Sequence, residues 1–156
     1  MAATLPLPGV ALPPVLAQSA QSLGIYGEQW AARALQRAGY TISFAHTGEK
    51  RGDLLLIDQH GAITFIEVKT ARRSTNGWKF CLRKGRKTDC RRADVLMLLA
   101  VDRIGLITPF ILSTTATHSA SIHIGGKHPR DYSGRYAQYR QPAHNLNIGA
   151  CFERCV

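Results

Sequence analysis

Acidic residues are scarce in this chain. Ten Asp and Glu stand against twenty Lys and Arg, which gives a formal charge of +10 over 156 residues and a pI near 10.0. That balance points to a polyanionic partner such as nucleic acid. Cysteine is also sparse: Cys81, Cys90, Cys151 and Cys155 form no Cys-x-x-Cys pair, although Cys151 and Cys155 could meet across one helical turn. His118, His123 and His128 recur every five residues, a spacing that matches neither a helix face nor a strand face. Structural zinc is therefore disfavoured, and free thiols of a reducing cytoplasm are the reading. No positively charged secretion signal opens the chain, and the four prolines within residues 1–20 exclude a regular spanning helix there. A cytoplasmic chain without membrane contact is expected, with residues 1–20 as a flexible arm or a strap over a partner. No internal repeat is evident, and the length suits one domain with a sufficient core.

What is present concentrates in two short apolar runs. Residues 54–57 and 62–68 read as strands, with Asp58, Gln59, His60 and Gly61 as turn chemistry between them. A three-residue loop with Gly61 in the left-handed position makes Asp58 pair with Ala62, so that paired residue numbers sum to 120. Asp53 then falls opposite Glu67, where side chains have Cβ atoms roughly 4.5–5.5 Å apart and two carboxylates repel unless a cation lies between them. Lys69 shares the face of Glu67, while Val68 and Thr70 point the other way. A loop one residue shorter or longer would send Asp53 to the opposite face. The bland reading of Glu67-Val68-Lys69 is a strand emerging into solvent, and the Asp53 placement weighs against it.

A third acid lies upstream. Residues 22–38 carry apolar positions at helical spacing, with Ser22 as a cap and Gly39 as a stop. Glu28 stands three residues before Ala31 and seven before Leu35, on the buried stripe, although a glutamate there can also simply complement the helix dipole.

The order Gly27-Glu28, Gly39-Tyr40, Gly52-Asp53, Glu67-Val68-Lys69 resembles the PD-(D/E)XK nuclease superfamily. Within it the chain is similar to small prokaryotic intron-homing-type endonucleases, through the string Val68-Lys69-Thr70-Ala71-Arg72, and to archaeal-type Holliday junction resolvases over the helix and first three strands. The resemblance covers about residues 23–112 and departs from the family name at Gly52, which replaces its proline. It implies an α/β fold of restriction-endonuclease type, a mixed β-sheet flanked by helices. It also implies that Asp53, Glu67 and the Val68 carbonyl hold Mg2+ (or Mn2+), that Lys69 orients or activates the attacking water, and that Glu28 assists metal binding. Magnesium takes oxygen ligands and keeps several waters, which suits two carboxylates and a carbonyl.

Half of the basic residues fall in one stretch: Lys69, Arg72, Arg73, Lys79, Arg83, Lys84, Arg86, Lys87, Arg91 and Arg92, against the single acid Asp89. From Arg72 onward these are candidate phosphate contacts along DNA, duplex or branched. Trp78 and Phe80 within the stretch either stack on bases or anchor a flanking strand in the core. Residues 95–100 suit a strand covered on both faces, and residues 104–112 a further strand with Pro109 near an edge. Asp94 precedes the first of these with no role that the sequence assigns. The expected organisation is an arm over residues 1–20, a nuclease domain over 21–125, within which Ile122 and Ile124 could make a short strand, and a loop-rich basic tail over 126–156. A DNA endonuclease acting as a homodimer or homotetramer is the leading expectation; a non-catalytic nucleic-acid-binding or inhibitor protein reusing the fold, and an RNA-directed nuclease, are the alternatives.

Overall fold

Helix α1 (Ala20–Arg37) begins where extended Ser19 accepts the Ser22 N–H on its hydroxyl at 3.0 Å. The cap is thus Ser19, one turn before the expected Ser22, whose own N–H is the donor. Leu23, Tyr26, Gly27, Trp30, Ala31, Ala34 and Leu35 recur every three or four residues and form the buried stripe. Gly39, at φ +100°, takes the left-handed turn that ends the helix. The computed structural model describes residues 19–46, 48–82, 92–117 and 119–153. Residues 1–18 of the expected arm, together with His118, Arg83, Lys84, Arg86, Lys87, Cys90, Arg91 and Cys155, lie outside the described residues.

Five strands form the main sheet in the order β1-β2-β3-β5-β6, with β1 (Thr41–Phe44), β2 (Leu54–Ile57), β3 (Ile63–Arg72), β5 (Val95–Val101) and β6 (Ile107–Ser113). All neighbours are antiparallel except β3 and β5, which run parallel. The apolar run from Val95 to Val101 is buried at every position because β5 lies inside the sheet with both faces covered. Pro109 sits on the outermost strand, and its carbonyl accepts the Gln141 N–H at 3.0 Å. Its peptide groups therefore face away from β5, so the missing N–H removes no ladder bond.

Strands β4 (Trp78–Cys81) and β7 (Ser121–Ile124) pair antiparallel into a separate two-stranded ribbon. The main sheet has α1 on one face, over Ile66, Val68, Val95, Met97 and Leu99, and the ribbon on the other, over Leu96, Leu98 and Ala100. The helix expected on at least one side of the sheet is α1, and the ribbon covers the other face. Trp78 and Phe80 are 0% and 2% exposed, so they anchor the ribbon in the core and do not stack on bases. The Trp78 indole donates to the Val101 carbonyl at 2.9 Å and stacks on Tyr132 with ring centres 4.8 Å apart. Further along the chain, Tyr136 packs in the ribbon-side core, and Leu146, Ile148 and Cys151 in the α1-side core. Cys151 opens the short helix α2 (Ala150–Glu153) together with Ala150, and the Ile148 N–H reaches the Tyr40 hydroxyl at 3.0 Å. Among the described residues no helix is long and apolar enough to cross a membrane.

Candidate active site

The hairpin that positions the site is built by its loop. Asp58 N–H donates to the Ala62 carbonyl, Gly61 N–H to the Asp58 carbonyl, and Gly61 has φ +82°. The side chain of Asp58 also accepts the His60 and Ala62 N–H groups at 2.8 and 2.9 Å. This three-residue loop fixes the register Leu54↔Ile66, Leu55↔Phe65, Leu56↔Thr64 and Ile57↔Ile63, the sum of 120 that the sequence implied.

The ladder stops at Leu54↔Ile66, one pair short of Asp53 and Glu67. Asp53 instead donates its N–H to the Ile66 carbonyl at 2.9 Å, one residue off the register. Gly52 allows this approach, because a Cβ there would stand 2.9 Å from the Ile66 oxygen. Past that point β3 continues to Arg72 with β5 as its one strand neighbour among the described residues. Which peptide groups face the vacated side follows from two bonds: Phe65 O accepts the Asp94 N–H, and Arg73 N–H donates to Val101 O, both toward β5. Odd residues of β3 thus turn their peptides to β5, and even residues turn theirs to the β2 side. Val68 is even, and its N–H donates to Asp53 Oδ2 at 2.9 Å. Its carbonyl, on the same side of the strand, shares that edge with the Asp53 carboxylate.

The structure gathers Asp53, Glu67, Lys69 and Glu28 around this edge. Lys69 Nζ is 3.1 Å from Glu67 Oε1, with the two side chains 32% and 13% exposed. Burial holds the Asp53 carboxyl above the ordinary range, against the opposing pull of the Val68 N–H, Lys69 and a hydrogen bond shared with Glu67. Two carboxyls held this close repel when both are ionised, and a cation between them relieves the repulsion. Burial also pushes Glu28 up to about 7, with the charges of Asp53 and Glu67 adding to the rise and Lys69 opposing it. Glu28 comes close because Gly27 lets α1 press on β3: a Cβ at Gly27 would overlap Thr70 Oγ1.

Among the described residues no three His, Cys, Asp or Glu side chains converge on one metal position. Two carboxylates and a carbonyl still match magnesium, which keeps several waters and accepts phosphate oxygens in the remaining positions. The residues present fit such an ion, since the Asp53–Glu67 pair is half-buried and one ammonium stands against three carboxyls.

The basic candidates separate. Arg72, Lys79 and Arg92 are exposed. Arg73 turns inward: its guanidinium lies 4.8 Å from the Trp78 ring centre, and Nη2 donates to the carbonyls of Gly126 and, at 2.8 Å, His128. Asp94, which had no sequence role, accepts the Phe65 N–H on Oδ2 at 2.9 Å and so clamps β3 to the start of β5 two residues before Glu67. Its place at the head of an apolar run was the only signal.

The same arrangement of helix and sheet occurs in the bacterial homing endonuclease I-Ssp6803I, with a TM-score of 0.59 over 78% of this chain and 88% of that one, at 18% identity. The likeness is one of fold, an α/β arrangement in which a mixed sheet carries α1 on one face. In sequence the chain is similar to the UPF0102 protein of Desulfitobacterium hafniense (strain DSM 10664 / DCB-2), at 34% identity over 64 residues, 40% of this chain. The chain spans about half the length of that curated relative, 53%. No family model matches the chain.

Proposed function

We propose that the chain is a divalent-metal-dependent endonuclease that hydrolyses phosphodiester bonds in DNA. The observation that carries the reading is the Asp53–Glu67 carboxyl pair at the edge where β2 leaves β3, beside the Val68 carbonyl and with Lys69 at 3.1 Å from Glu67. Asp53, Glu67 and the Val68 carbonyl would hold Mg2+ or Mn2+. Such an ion, when bound, polarises a phosphoryl oxygen and lowers the pKa of a coordinated water. Lys69 sits where its ammonium orients the attacking water and offsets negative charge developing on the phosphorus oxygens. Glu28, set back on α1, holds a proton near neutral pH in the metal-free chain and orders the outer waters of the site. Arg72 and Arg92, with Arg83, Lys84, Arg86, Lys87 and Arg91 from the same stretch, supply phosphate contacts, and exposed Lys79 adds a further contact to DNA; Arg73 supports them by holding the loop at Gly126. Cutting both strands of a duplex takes two such sites, which calls for a homodimer or homotetramer.

The test is incubation of the purified chain with supercoiled plasmid and a synthetic four-way junction, with and without Mg2+ or Mn2+, beside Asp53→Ala and Glu67→Ala. Metal-dependent cutting that both variants lose is the expected result, with DNA binding retained. Undiminished cutting in both variants would remove the proposed site, and binding without cutting under either metal would make the chain a non-catalytic binder.

A further inference from the structure

We propose that the β4–β7 ribbon is the DNA-reading element of the protein and enters the major groove of a B-form duplex. The inference rests on the nuclease reading and goes beyond it by choosing duplex DNA over RNA and naming the groove.

The ribbon is two-sided. Trp78, Phe80, Ile122 and Ile124 point into the core and are at most 2% exposed. The outward positions alternate with them in the cross-strand pairs Lys79↔His123 and Cys81↔Ser121. Lys79, Cys81 and His123 are exposed and Ser121 is half-buried. Every outward residue is short or flexible and carries a polar atom or a thiol, and a base edge is read by such groups. A solvated surface ribbon would ordinarily mix charges of both signs. Here residues 72–82 and 119–130 contain no carboxylate, the next along the chain being Asp131, which accepts the Ser133 N–H, and the outward face itself carries Lys79 and His123. The face is therefore complementary to a polyanion.

Size agrees. Two strands about 4.8 Å apart and four residues long make a body about 13 Å in length. The B-form major groove, about 12 Å wide and 8.5 Å deep, admits a two-stranded ribbon of these dimensions. The A-form major groove of RNA is too narrow for side chains to read, so the same ribbon does not fit duplex RNA.

The ribbon is also held rigidly, as a reading head must be. Trp78 is fixed by its bond to Val101 and by Tyr132 stacked on it, and Arg73 and Arg140 lie over Trp78 and Tyr132 at 4.8 and 4.4 Å. Two side chains of the site lie on its side of the sheet, opposite the α1 that carries Glu28: Glu67 and Lys69 pair in register with Leu96 and Leu98, whose side chains pack against the ribbon. A duplex seated on the ribbon thus runs past Glu67 and Lys69.

The experiment uses the full chain in EDTA, so that nothing is cut. A 30-base-pair DNA duplex, enriched from a random pool by repeated capture on the immobilised protein, is titrated by fluorescence anisotropy beside an RNA duplex of the same sequence. The DNA is then remade with 7-deazapurines, which lack the N7 acceptor of the major groove. DNA is expected to bind at least about ten-fold tighter than RNA, and the double variant Lys79→Ser, His123→Ser to lose about five- to fifty-fold for DNA with its melting temperature unchanged. The 7-deaza duplex should bind the wild type more weakly and the variant no differently. Equal affinity of variant and wild type, equal affinity for RNA and DNA, or indifference of the wild type to 7-deazapurines would each overturn the proposal. Cutting by the wild type alongside any of these leaves the nuclease intact and removes the ribbon's role. Ribbon-dependent binding in a chain that never cuts does the reverse.

Discussion

Gly27 to Ala is the substitution whose consequence the structure specifies most closely. A Cβ at position 27 would overlap Thr70 Oγ1 and lie 3.0 Å from Thr70 Cβ. Alanine in a helix interior gains about 1 kcal/mol over glycine. Against it stands an overlap too deep to relax by a few tenths of an ångström. Thr70 is β-branched and stiff, so either it leaves its rotamer or α1 lifts from β3. Overpacking of this kind costs about 1–3 kcal/mol, and because the overlap is with a buried atom the upper part of that range applies, leaving a net loss of about 1–2 kcal/mol. The partner substitution sharpens the test. Thr70 Oγ1 is buried without a hydrogen-bond partner, so Thr70→Ala removes an unsatisfied hydroxyl worth about 1–3 kcal/mol and one methyl worth about 0.8 kcal/mol, and should be neutral or mildly stabilising. In that background Gly27→Ala meets only a Cβ and should cost less than about 0.5 kcal/mol, since its helix propensity offsets the remaining squeeze. Urea unfolding of the four proteins gives the coupling directly, about 1–2 kcal/mol. Equal cost of Gly27→Ala in both backgrounds would refute the claim that this contact sets the distance of α1 from β3. Glu28 is the next residue, so cleavage lost in Gly27→Ala should partly return in the double variant.

Further expectations concern pH and the supports of the site. Glu28 has its pKa raised from 4.5 to about 7 in the folded chain, so the folded state binds the extra proton between those values. Metal-free stability is then full below about pH 4.5 and falls as pH rises to about 7. The shift corresponds to about 3 kcal/mol unscreened, and about 1 kcal/mol after discounting for the half-exposed carboxyl. Urea midpoints between pH 5 and pH 8 should decline in EDTA and flatten in Glu28→Gln; a rise over that range would contradict the reading. Asp94→Ala should lose about 1 kcal/mol by freeing the Phe65 N–H, whereas Asp94→Asn, which keeps the acceptor, should lose less than half of that on thermal melting. Arg73→Ala should lose about 2 kcal/mol, and Arg73→Lys should not fully restore it, because a lysine that reaches the two carbonyls cannot also lie flat on the Trp78 ring as the guanidinium does.

Elements whose side chains face a single environment were legible in the sequence. β5 is an unbroken apolar run because both of its faces are covered, and α1 shows its stripe because one face is wet. The hairpin was legible for a different reason: Asp58 and Gly61 encode a loop of fixed length, and parity does the rest. The ribbon was harder. Trp78, Lys79, Phe80 and Cys81 alternate as a half-buried strand should, but its partner lies some forty residues later at Ser121 to Ile124. No local pattern reports a pairing over that distance. The inward turn of Arg73 was hidden for the same reason, since the carbonyls of Gly126 and His128 that draw it in come from that later segment.

The point at which β2 leaves β3 could not be read from spacing, and yet the site depends on it. Had the ladder continued two more pairs, to Gly52↔Val68, the Val68 N–H and carbonyl would have bonded to β2, and no carbonyl would have faced the carboxylates. Gly52, by permitting a backbone approach to Ile66, shifts Asp53 off the register and lets its carboxylate replace the missing strand at Val68 N–H. The Val68 oxygen is thereby left open to the proposed ion beside Asp53 and Glu67. Gly52→Ala therefore tests the site more selectively than removal of a carboxylate: the added Cβ would meet the Ile66 oxygen at 2.9 Å, a backbone atom that cannot swing away. Metal affinity, followed by calorimetry with Mn2+, should fall about ten-fold or more while Asp53, Glu67 and Lys69 all remain in place, as for second-sphere changes at metal sites. Unaltered Mn2+ affinity in a folded Gly52→Ala protein would mean that the edge at Val68 does not form the site.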